Sequence, residues 1–337
     1  MAASDISRLG QSLAAGDDNA LFLKVFAGEV LATFQEANKF MPLQTTRTIS
    51  SGKSASFPVI GTAGARWHTP GESVITDADS QGTAYLSKIK HTEREIFIDD
   101  AMVSSVLIDD LDSMKNHYDH RSEYSSAIGR ALAKECDEHI LSCILAAANA
   151  SANISGVTSA GQAVEVADMD TNTAVFVTAC HTAAEKLDDN DVPKTDRYVA
   201  VRPSHYWKLV QDTNLVNRDF GGANGVYTDG TVMKVAGLTI VSTNNMPSDT
   251  TNNSAVADDG ANNDPQATGG IGYNANWTNV EGLVWHKSAS GTVKMADIQV
   301  MSEYQVERLA NLLVARYAMG HNYLRPECAV VLRDVVS

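Results

Sequence analysis

The segment from Met114 to Asn149 contains no proline, and this constrains the fold more than any other feature of the sequence. Apolar residues recur every four positions and mark one helix face: Ile128, Leu132, Cys136, Ile140 and Ile144. Charged residues occupy the other sides: Arg121, Glu123, Arg130, Lys134 and Asp137. A helix over 114–149, capped by Asp112 or Ser113, would be roughly 50 Å long at about 1.5 Å per residue. We therefore predict a spine helix on which a domain is built.

Two alternating segments around a glycine-rich middle predict an extended two-stranded loop over residues 47–99. The first, Thr48–Val59, contains Pro58, which suits an edge strand because proline has no N–H to donate. The second segment is Ser87–Ile98. A two-stranded loop buries little of its own surface, so we expect it to rest on something else, such as another chain.

The first 46 residues are expected to form an N-terminal arm. Its first sixteen residues are small and polar, and Asp17 or Asp18 offers a cap for a following helix. Aromatic and aliphatic residues lie along one side of that predicted helix: Phe22, Phe26, Val30 and Phe34. Two interpretations stay open, because this side suits burial in the chain's own core as well as docking on a neighbouring subunit.

The remainder of the chain has a mixed α/β pattern. Helices are predicted at Thr173–Leu187 and from Pro203, and Asn244–Asn279 is predicted to be an acidic surface loop rich in Asn, Asp, Gly and Thr. The pattern of Glu303–Met319 fits a strand and a helix equally. Strands are predicted at Arg197–Val201, Met233–Val235, Leu238–Val241, Glu281–His286, Thr292–Val300, Asn311–Gly320 and Cys328–Val336.

Charge and composition exclude several classes of protein. The 337 residues include 26 Lys+Arg and 41 Asp+Glu, a net charge of −15, which argues against general nucleic-acid binding. The four cysteines show no paired framework, which favours a reducing compartment. No apolar run reaches the ~18 residues of a membrane span, and the N-terminus lacks the pattern of a secretion signal. We expect a soluble, acidic protein that is made inside a cell.

Motifs that carry chemistry are incomplete. Gly52-Lys53-Ser54 resembles the end of a phosphate-binding loop, but Arg47 stands where that motif needs a glycine. Cys136, His139 and Cys143 share one helix face, and core packing explains them better than a zinc site without a fourth ligand. The histidines His117, His120 and His286 have no triad partners nearby in the sequence, and Gly269–Gly272 does not follow a strand. We therefore predict no catalytic, cofactor-binding or metal-ligating residues.

Several segments, in order along nearly the whole chain, resemble the major capsid protein of T7-like short-tailed phages: Leu21–Leu31, Thr48–Pro58, Lys90–Ile98, Met114–Tyr124 and Ala315–Glu327. The resemblance implies an α+β, HK97-like capsid fold and makes Asn311–Glu327 extended rather than helical. It also implies a division of the chain into an arm (1–46), an extended loop (47–99), a peripheral domain (100–165 and 291–337) and an axial domain (166–290) that carries the acidic loop 244–279.

The same resemblance implies a structural function. The chain would assemble with copies of itself, as pentamers and hexamers, into the icosahedral shell of a virion that encloses double-stranded DNA. Assembly would take place in the bacterial host cytoplasm, with a scaffolding protein and a portal at one vertex, and without a membrane, a cofactor or enzymatic activity. Two alternatives are an encapsulin-like compartment protein and an intracellular α/β enzyme built on dispersed carboxylates and histidines.

Overall fold

The structure is a computed structural model that describes residues 38–61, 63–75, 89–98, 101–109, 121–154, 158–212, 225–226, 231–232, 234–247, 273 and 275–335. Several predictions lie outside these residues: the arm helix with Phe22 to Phe34, the spine-helix start with His117 and His120, and Gly269–Gly272. Most of the predicted acidic loop, 248–272, is also outside them.

A helix of 29 residues, α1 (Arg121–Asn149), forms the predicted spine. All five residues of its predicted apolar face are buried, and its C-terminal half from Ile140 to Ala148 is buried on every side. This half is enclosed because α1 contacts strands of both large sheets. Asp137 is the exception to the prediction, since it was assigned to the polar side and is fully buried. No helix in the described ranges is long and apolar enough to cross a membrane.

The first large sheet has four strands in the order β1-β12-β13-β4. Its centre is a hairpin of two long antiparallel strands, β12 (Ser290–Gln305) and β13 (Ala310–Tyr323). The ambiguous stretch Glu303–Met319 is therefore strand, turn and strand and not a helix, and Asn311–Glu327, which the resemblance made extended, is a strand as far as Tyr323 and enters a short 3-10 helix at Pro326. The edges are β1 (Thr45–Thr48), parallel to β12, and β4 (Met102–Asp109), antiparallel to β13. The predicted boundary between arm and loop at residue 46 falls inside β1, and β4 was not predicted.

The second large sheet has six strands in the order β5-β14-β11-β6-β10-β9. They are β5 (Gln162–Val166), β6 (Arg197–Val201), β9 (Lys234–Val235), β10 (Leu238–Ser242), β11 (Val280–His286) and β14 (Ala329–Asp334). The predicted division placed most of β5 and all of β14 in the peripheral domain. Both belong instead to the sheet of the predicted axial segments, because β14 pairs with β5 and β11.

The described chain also contains two further α-helices, two small sheets and two short 3-10 helices, Met41–Leu43 and Pro326–Cys328. The helices α2 (Thr173–Asp189) and α3 (Pro203–Gln211) confirm the predictions, and Pro203 stands in the first turn of α3. The extended loop contains a two-stranded antiparallel sheet, β2 (Ser54–Ile60) with β3 (His91–Phe97), and β7 (Gly225–Val226) pairs with β8 (Thr231–Val232).

The two ends of the predicted acidic surface loop are not on the surface. Asn245 and Met246 at one end, and Tyr273 and Trp277 at the other, are buried. Trp277 lies in the main hydrophobic core with the residues of α1 and the six-stranded sheet. Local composition predicts that the whole segment is exposed. Its two large aromatic residues, Tyr273 and Trp277, are buried instead and anchor that end of the segment.

Candidate assembly surfaces

The root of the extended loop is fixed to the body of its own chain. Ala55 and Ile96, from β2 and β3, pack with Val293 and Leu324 in a separate buried cluster. At Gly320 of β13, a Cβ atom would lie 1.8 Å from the carbonyl oxygen of Phe97, so only glycine allows this approach. The loop therefore rests on its own sheet at the root, where the sequence had suggested contact with another chain.

The outer part of the loop presents large apolar side chains to solvent. Trp67 is 97% exposed, and Val74 and Ile75 are also exposed. Local hydrogen bonds shape this part: Glu72 N–H donates to the Thr69 carbonyl at 3.2 Å, and His68 Nε2 lies 2.7 Å from the Glu72 carbonyl oxygen. An exposed tryptophan on a locally ordered turn is typical of an interaction anchor.

A second exposed apolar surface lies at the far end of the four-stranded sheet. The exposed apolar residues there are Met301 and Tyr304 on β12, and Val306 and Leu309 in the turn that joins β12 to β13. Along β13, the turn is ten residues from Gly320, roughly 34 Å at about 3.4 Å per residue. Among the described residues, exposed apolar side chains therefore lie both on the loop and at the opposite end of the sheet from the loop root.

A buried carboxylate joins three distant segments of the chain. Asp137 Oδ2 accepts hydrogen bonds from Lys39 N–H and from Asn245 Nδ2, both at 3.1 Å. Its Oδ1 accepts one from Phe40 N–H at 3.3 Å. The spine helix thereby holds the segment that leads into β1 and the segment that follows β10, which belong to different sheets.

The predicted Cys136–His139–Cys143 face packs in the protein interior. The Cys136 sulfur lies 3.9 Å from His321 Nε2, and the His139 ring stacks on Tyr273 with centroids 4.3 Å apart. Burial raises the pKa of the Cys136 thiol to about 12, so the thiol stays protonated. In the part of the chain that the structure describes, no group of three or more His, Cys, Asp or Glu residues could hold a metal ion.

His321 is the centre of a buried polar network that the sequence did not reveal. Thr292 Oγ1 lies 2.7 Å from the ring Nδ1 of His321, and the backbone N–H of His321 donates to the Tyr273 hydroxyl at 3.0 Å. Gln44 Nε2 donates to Thr292 Oγ1, and Ser290 Oγ donates to Gln44 Oε1 at 3.1 Å. Burial lowers the pKa of His321 to about 3 and the pKa of His139 to about 4. Both histidines are therefore neutral in the folded chain near pH 7.

We expect acid to destabilise the subunit through these two histidines. In the unfolded chain the pKa of each histidine is about 6.5, so below that pH the unfolded state binds protons that the folded state does not bind. The free energy of unfolding should fall as pH drops from about 6.5 towards 4, by about 1.4 kcal/mol per pH unit for each histidine. Urea unfolding of the unassembled subunit between pH 4.5 and 7.5 measures this slope.

Substitutions separate the two histidines from the other titrating groups. His321→Gln and His139→Phe should each reduce the slope, by up to about 1.4 kcal/mol per pH unit. A double variant that keeps the full wild-type slope would contradict the assignment.

The other candidate motifs in the described residues also belong to ordinary strands and turns. Gly52-Lys53-Ser54 leads into strand β2 and not into a helix, so the geometry of a phosphate-binding loop is absent at this position. His286 Nδ1 lies 2.8 Å from Ser288 Oγ within a local turn, and burial lowers the pKa of His286. Ser288 Oγ in turn donates to the Cys328 sulfur at 3.3 Å.

A partly buried hydrogen bond between two distant side chains is not visible in the sequence. His205 Nε2 lies 2.6 Å from Glu281 Oε2, and this hydrogen bond lowers the pKa of Glu281. The pair joins the first turn of α3 to β11 across 76 positions in sequence, which no local pattern reveals.

The sequence does contain a signal for Trp67, because a large aromatic residue is unusual in a polar loop rich in Gly and Pro.

Comparison with known proteins places these surfaces in context. Residues 56–333 match a family described as Gp10A-like, major capsid protein. The chain is 34% identical to the major capsid protein of Escherichia phage T7 over 334 residues, which cover 94% of this chain and 92% of that protein. The chain belongs to the Gp10A-like major capsid protein family. The resemblance found in the sequence segments is thereby confirmed, and so is the structural role of a capsid shell protein.

Solved structures show the same fold. The capsid structure of the cyanophage P-SCSP1u superposes with a TM-score of 0.76 at 39% identity and covers 94% of both chains. The mature capsid of bacteriophage PhiM1 superposes with a TM-score of 0.70 at 19% identity, covering 99% of this chain and 98% of that one. The predicted α+β, HK97-like fold is confirmed.

Proposed function

We propose that this chain is the major head-shell subunit of a short-tailed phage and assembles with copies of itself, as pentamers and hexamers, into a closed icosahedral shell. The observation that carries this proposal is the extended loop, which is fixed at its root and exposes Trp67 at its outer part. Burying such a side chain against another copy stabilises the contact by roughly 2–3 kcal/mol, which would recur at every subunit of a shell. The 34% identity to the T7 major capsid protein supports the proposal.

The proposal includes a division of labour along the chain. Residues 1–46 are the arm and 47–99 the extended loop, apart from β1, which belongs with α1 and the rest of the four-stranded sheet to the peripheral domain. The six-stranded sheet with α2 and α3 forms the axial domain, and it includes β5 and β14 in a revision of the sequence-based division. Each of the two large sheets contacts α1, so the spine helix couples the two domains.

The proposed partners other than the chain itself follow from its role and charge. A scaffolding protein would guide assembly in the host cytoplasm, and a portal would occupy one vertex of the virion. The shell would enclose double-stranded DNA without binding it, since a chain with a net charge of −15 offers few cations to replace the counterions of the phosphates. The role is purely structural, with no catalytic residue and no cofactor.

The test is assembly of the expressed protein, followed by negative-stain microscopy with and without a scaffolding protein. We expect regular closed shells that do not retain duplex DNA at physiological salt. Trp67→Ala should leave the subunit folded, because Trp67 makes little contact within its own chain, and should reduce the yield of shells at least tenfold. Trp207→Ala is the matched control, since it removes another exposed tryptophan from the body of the chain.

Three results would overturn parts of this proposal. A small uniform oligomer that never closes into shells would contradict the assembly role, and turnover of a substrate would contradict the absence of catalysis. Normal shells from Trp67→Ala would remove the loop contact from the proposal without affecting the family assignment.

A further inference from the structure

The two-stranded sheet of the extended loop has an outer edge on β2. Strand β2 pairs with β3 and with no other described strand. At the two ends of this pair, Ile98 N–H donates to the Lys53 carbonyl and Gly61 N–H to the Lys90 carbonyl, both at 2.9 Å. Because hydrogen-bonded positions alternate along an antiparallel pair, the odd-numbered residues of β2 bond to β3. The backbone polar groups of the even-numbered residues therefore point to the outer edge: Ser54, Ser56, Pro58 and Ile60.

Two of these outward positions are closed to pairing with a further strand. Pro58 has no N–H, so one donor is missing from the edge. The carbonyl of Ser56 accepts a hydrogen bond from Arg47 Nη1 at 2.9 Å, so one acceptor is occupied. The Arg47 guanidinium also lies over the Phe57 ring, 5.9 Å from its centroid, which helps to hold the arginine in this place. Successive outward positions of the edge thus lack a free acceptor and a donor.

The space beside this edge does not keep a strand away. Residues 57–61 line a cleft of about 720 Å³, which residues 189–193 also line. Ile60, one of these residues, is 57% exposed. An exposed strand edge with an apolar side chain is a template for pairing with another chain. The edge is therefore closed by its chemistry and not by its surroundings.

A similar arrangement recurs at the edge of the six-stranded sheet. Val335 N–H donates to the Val166 carbonyl at 3.3 Å, which sets the even-numbered residues of β5 towards β14. The Ala163 carbonyl therefore points outward, and it accepts a hydrogen bond from Lys186 Nζ of α2 at 2.5 Å. Two edge strands in different sheets thus each have an outward carbonyl occupied by a basic side chain. Basic side chains and prolines at sheet edges are devices against edge-to-edge association.

We infer that Pro58 and Arg47 close the outer edge of β2 to strand addition and so keep the extended loops of separate subunits from pairing edge to edge. A two-stranded sheet with two open edges can join head to tail, β2 of one copy to β3 of the next, and such an association has no end. Closing β2 removes one of the two edges that this growth needs. The inference goes beyond the proposed shell function, because it concerns the subunit before any shell forms.

The first test reopens the edge. The double variant R47M/P58T regains an N–H at position 58 and frees the Ser56 carbonyl, while methionine keeps an aliphatic stem over Phe57. In size-exclusion chromatography its monomer peak should disappear roughly tenfold faster than that of the wild type at equal concentration, into elongated species that bind thioflavin T. The melting temperature should stay close to that of the wild type, because threonine favours strands and no hydrogen bond to β3 is lost. Pro193→Thr is the matched control, since Pro193 lines the same cleft outside any strand.

The second test closes the edge again by a different route. Ile60→Pro in the R47M/P58T background moves the missing N–H two residues along the same edge. It costs no hydrogen bond to β3, because the Ile60 N–H points outward. The triple variant should therefore stay monomeric for about as long as the wild type. Limited proteolysis shows whether the sheet is kept: the loop of the triple variant should resist as the wild type does, whereas Val59→Pro, which removes a bond to β3, should make the loop sensitive.

The outcomes separate this inference from the proposed function. R47M/P58T subunits that stay monomeric as long as the wild type would overturn the inference, whether or not wild-type chains form shells. Elongated species that persist in the triple variant would overturn it as well, because another surface would then join the copies. If the variants aggregate and recover as described while wild-type chains form no shells, the inference stands and only the proposed function is contradicted.

Discussion

Replacement of Gly320 by alanine should detach the extended loop from the body of the subunit. The new Cβ would lie 1.8 Å from the Phe97 carbonyl oxygen and 3.2 Å from the Ile98 Cα. These are backbone atoms, so a rotamer change cannot relieve the overlap, and either β13 or the end of β3 must move. Overpacking of this kind costs about 3 kcal/mol or more, above the usual range for added methyl groups. Urea unfolding and limited proteolysis of the loop measure both consequences.

Gly129 offers a matched control for Gly320→Ala. It lies within α1, and a Cβ there would meet no atom within 4 Å. Gly129→Ala should therefore stabilise the subunit by about 1 kcal/mol, because alanine is the better helix former. The same glycine-to-alanine change should thus lower the free energy of unfolding at Gly320 and raise it at Gly129. A Gly320→Ala subunit with wild-type stability and a protease-resistant loop would contradict the close approach.

Local sequence patterns predicted those elements whose periodicity is decided by one buried face. The five apolar residues from Ile128 to Ile144 predicted α1, and the alternation on either side of the glycine-rich loop predicted β2 and β3. Strand β4 shows that such signals can be overlooked, because its run of Val103, Val106 and Ile108 is typical of a strand. Its two central serines, Ser104 and Ser105, interrupt the alternation of apolar and polar residues and so weaken the strand pattern.

The rest depended on contacts between residues far apart in sequence. β14 could be predicted as a strand, but its place between β5 and β11 depends on pairing with segments about 170 and 50 residues earlier. A carboxylate on a helix is normally solvated, so Asp137 was assigned to the polar side. It is buried because two backbone amides about 100 residues earlier and an amide side chain 108 residues later bind it.

Removal of the Asp137 carboxylate should be among the most destabilising single changes in this chain. Asp137→Ala leaves Lys39 N–H, Phe40 N–H and the Asn245 amide without their acceptor in a fully buried site. An unsatisfied buried donor costs about 1–3 kcal/mol, and three donors lose their acceptor here. We expect the free energy of unfolding to fall by about 4 kcal/mol, measured in urea at pH 7.

Asp137→Asn should be intermediate, at about 2–3 kcal/mol, because the amide keeps one acceptor oxygen but turns its NH₂ group towards at least one donor. Glu138→Gln is the matched control on the next residue. Glu138 pairs with Lys134 at 3.4 Å, and the Lys134 side chain is 54% exposed, so this change should cost less than about 1 kcal/mol.

Hydrogen exchange would show which segments the carboxylate holds. In Asp137→Ala the amides of Lys39 and Phe40 should exchange faster by a larger factor than the amides in the middle of β13, because they lose their acceptor directly. Asp137 binds the segment that enters β1 and the segment that leaves β10, so its loss should loosen both sheets where they meet α1. Shell yield should fall as well, since the extended loop would no longer project from a rigid body. If exchange increased equally throughout the chain, Asp137 would contribute to overall stability without acting as a local clamp.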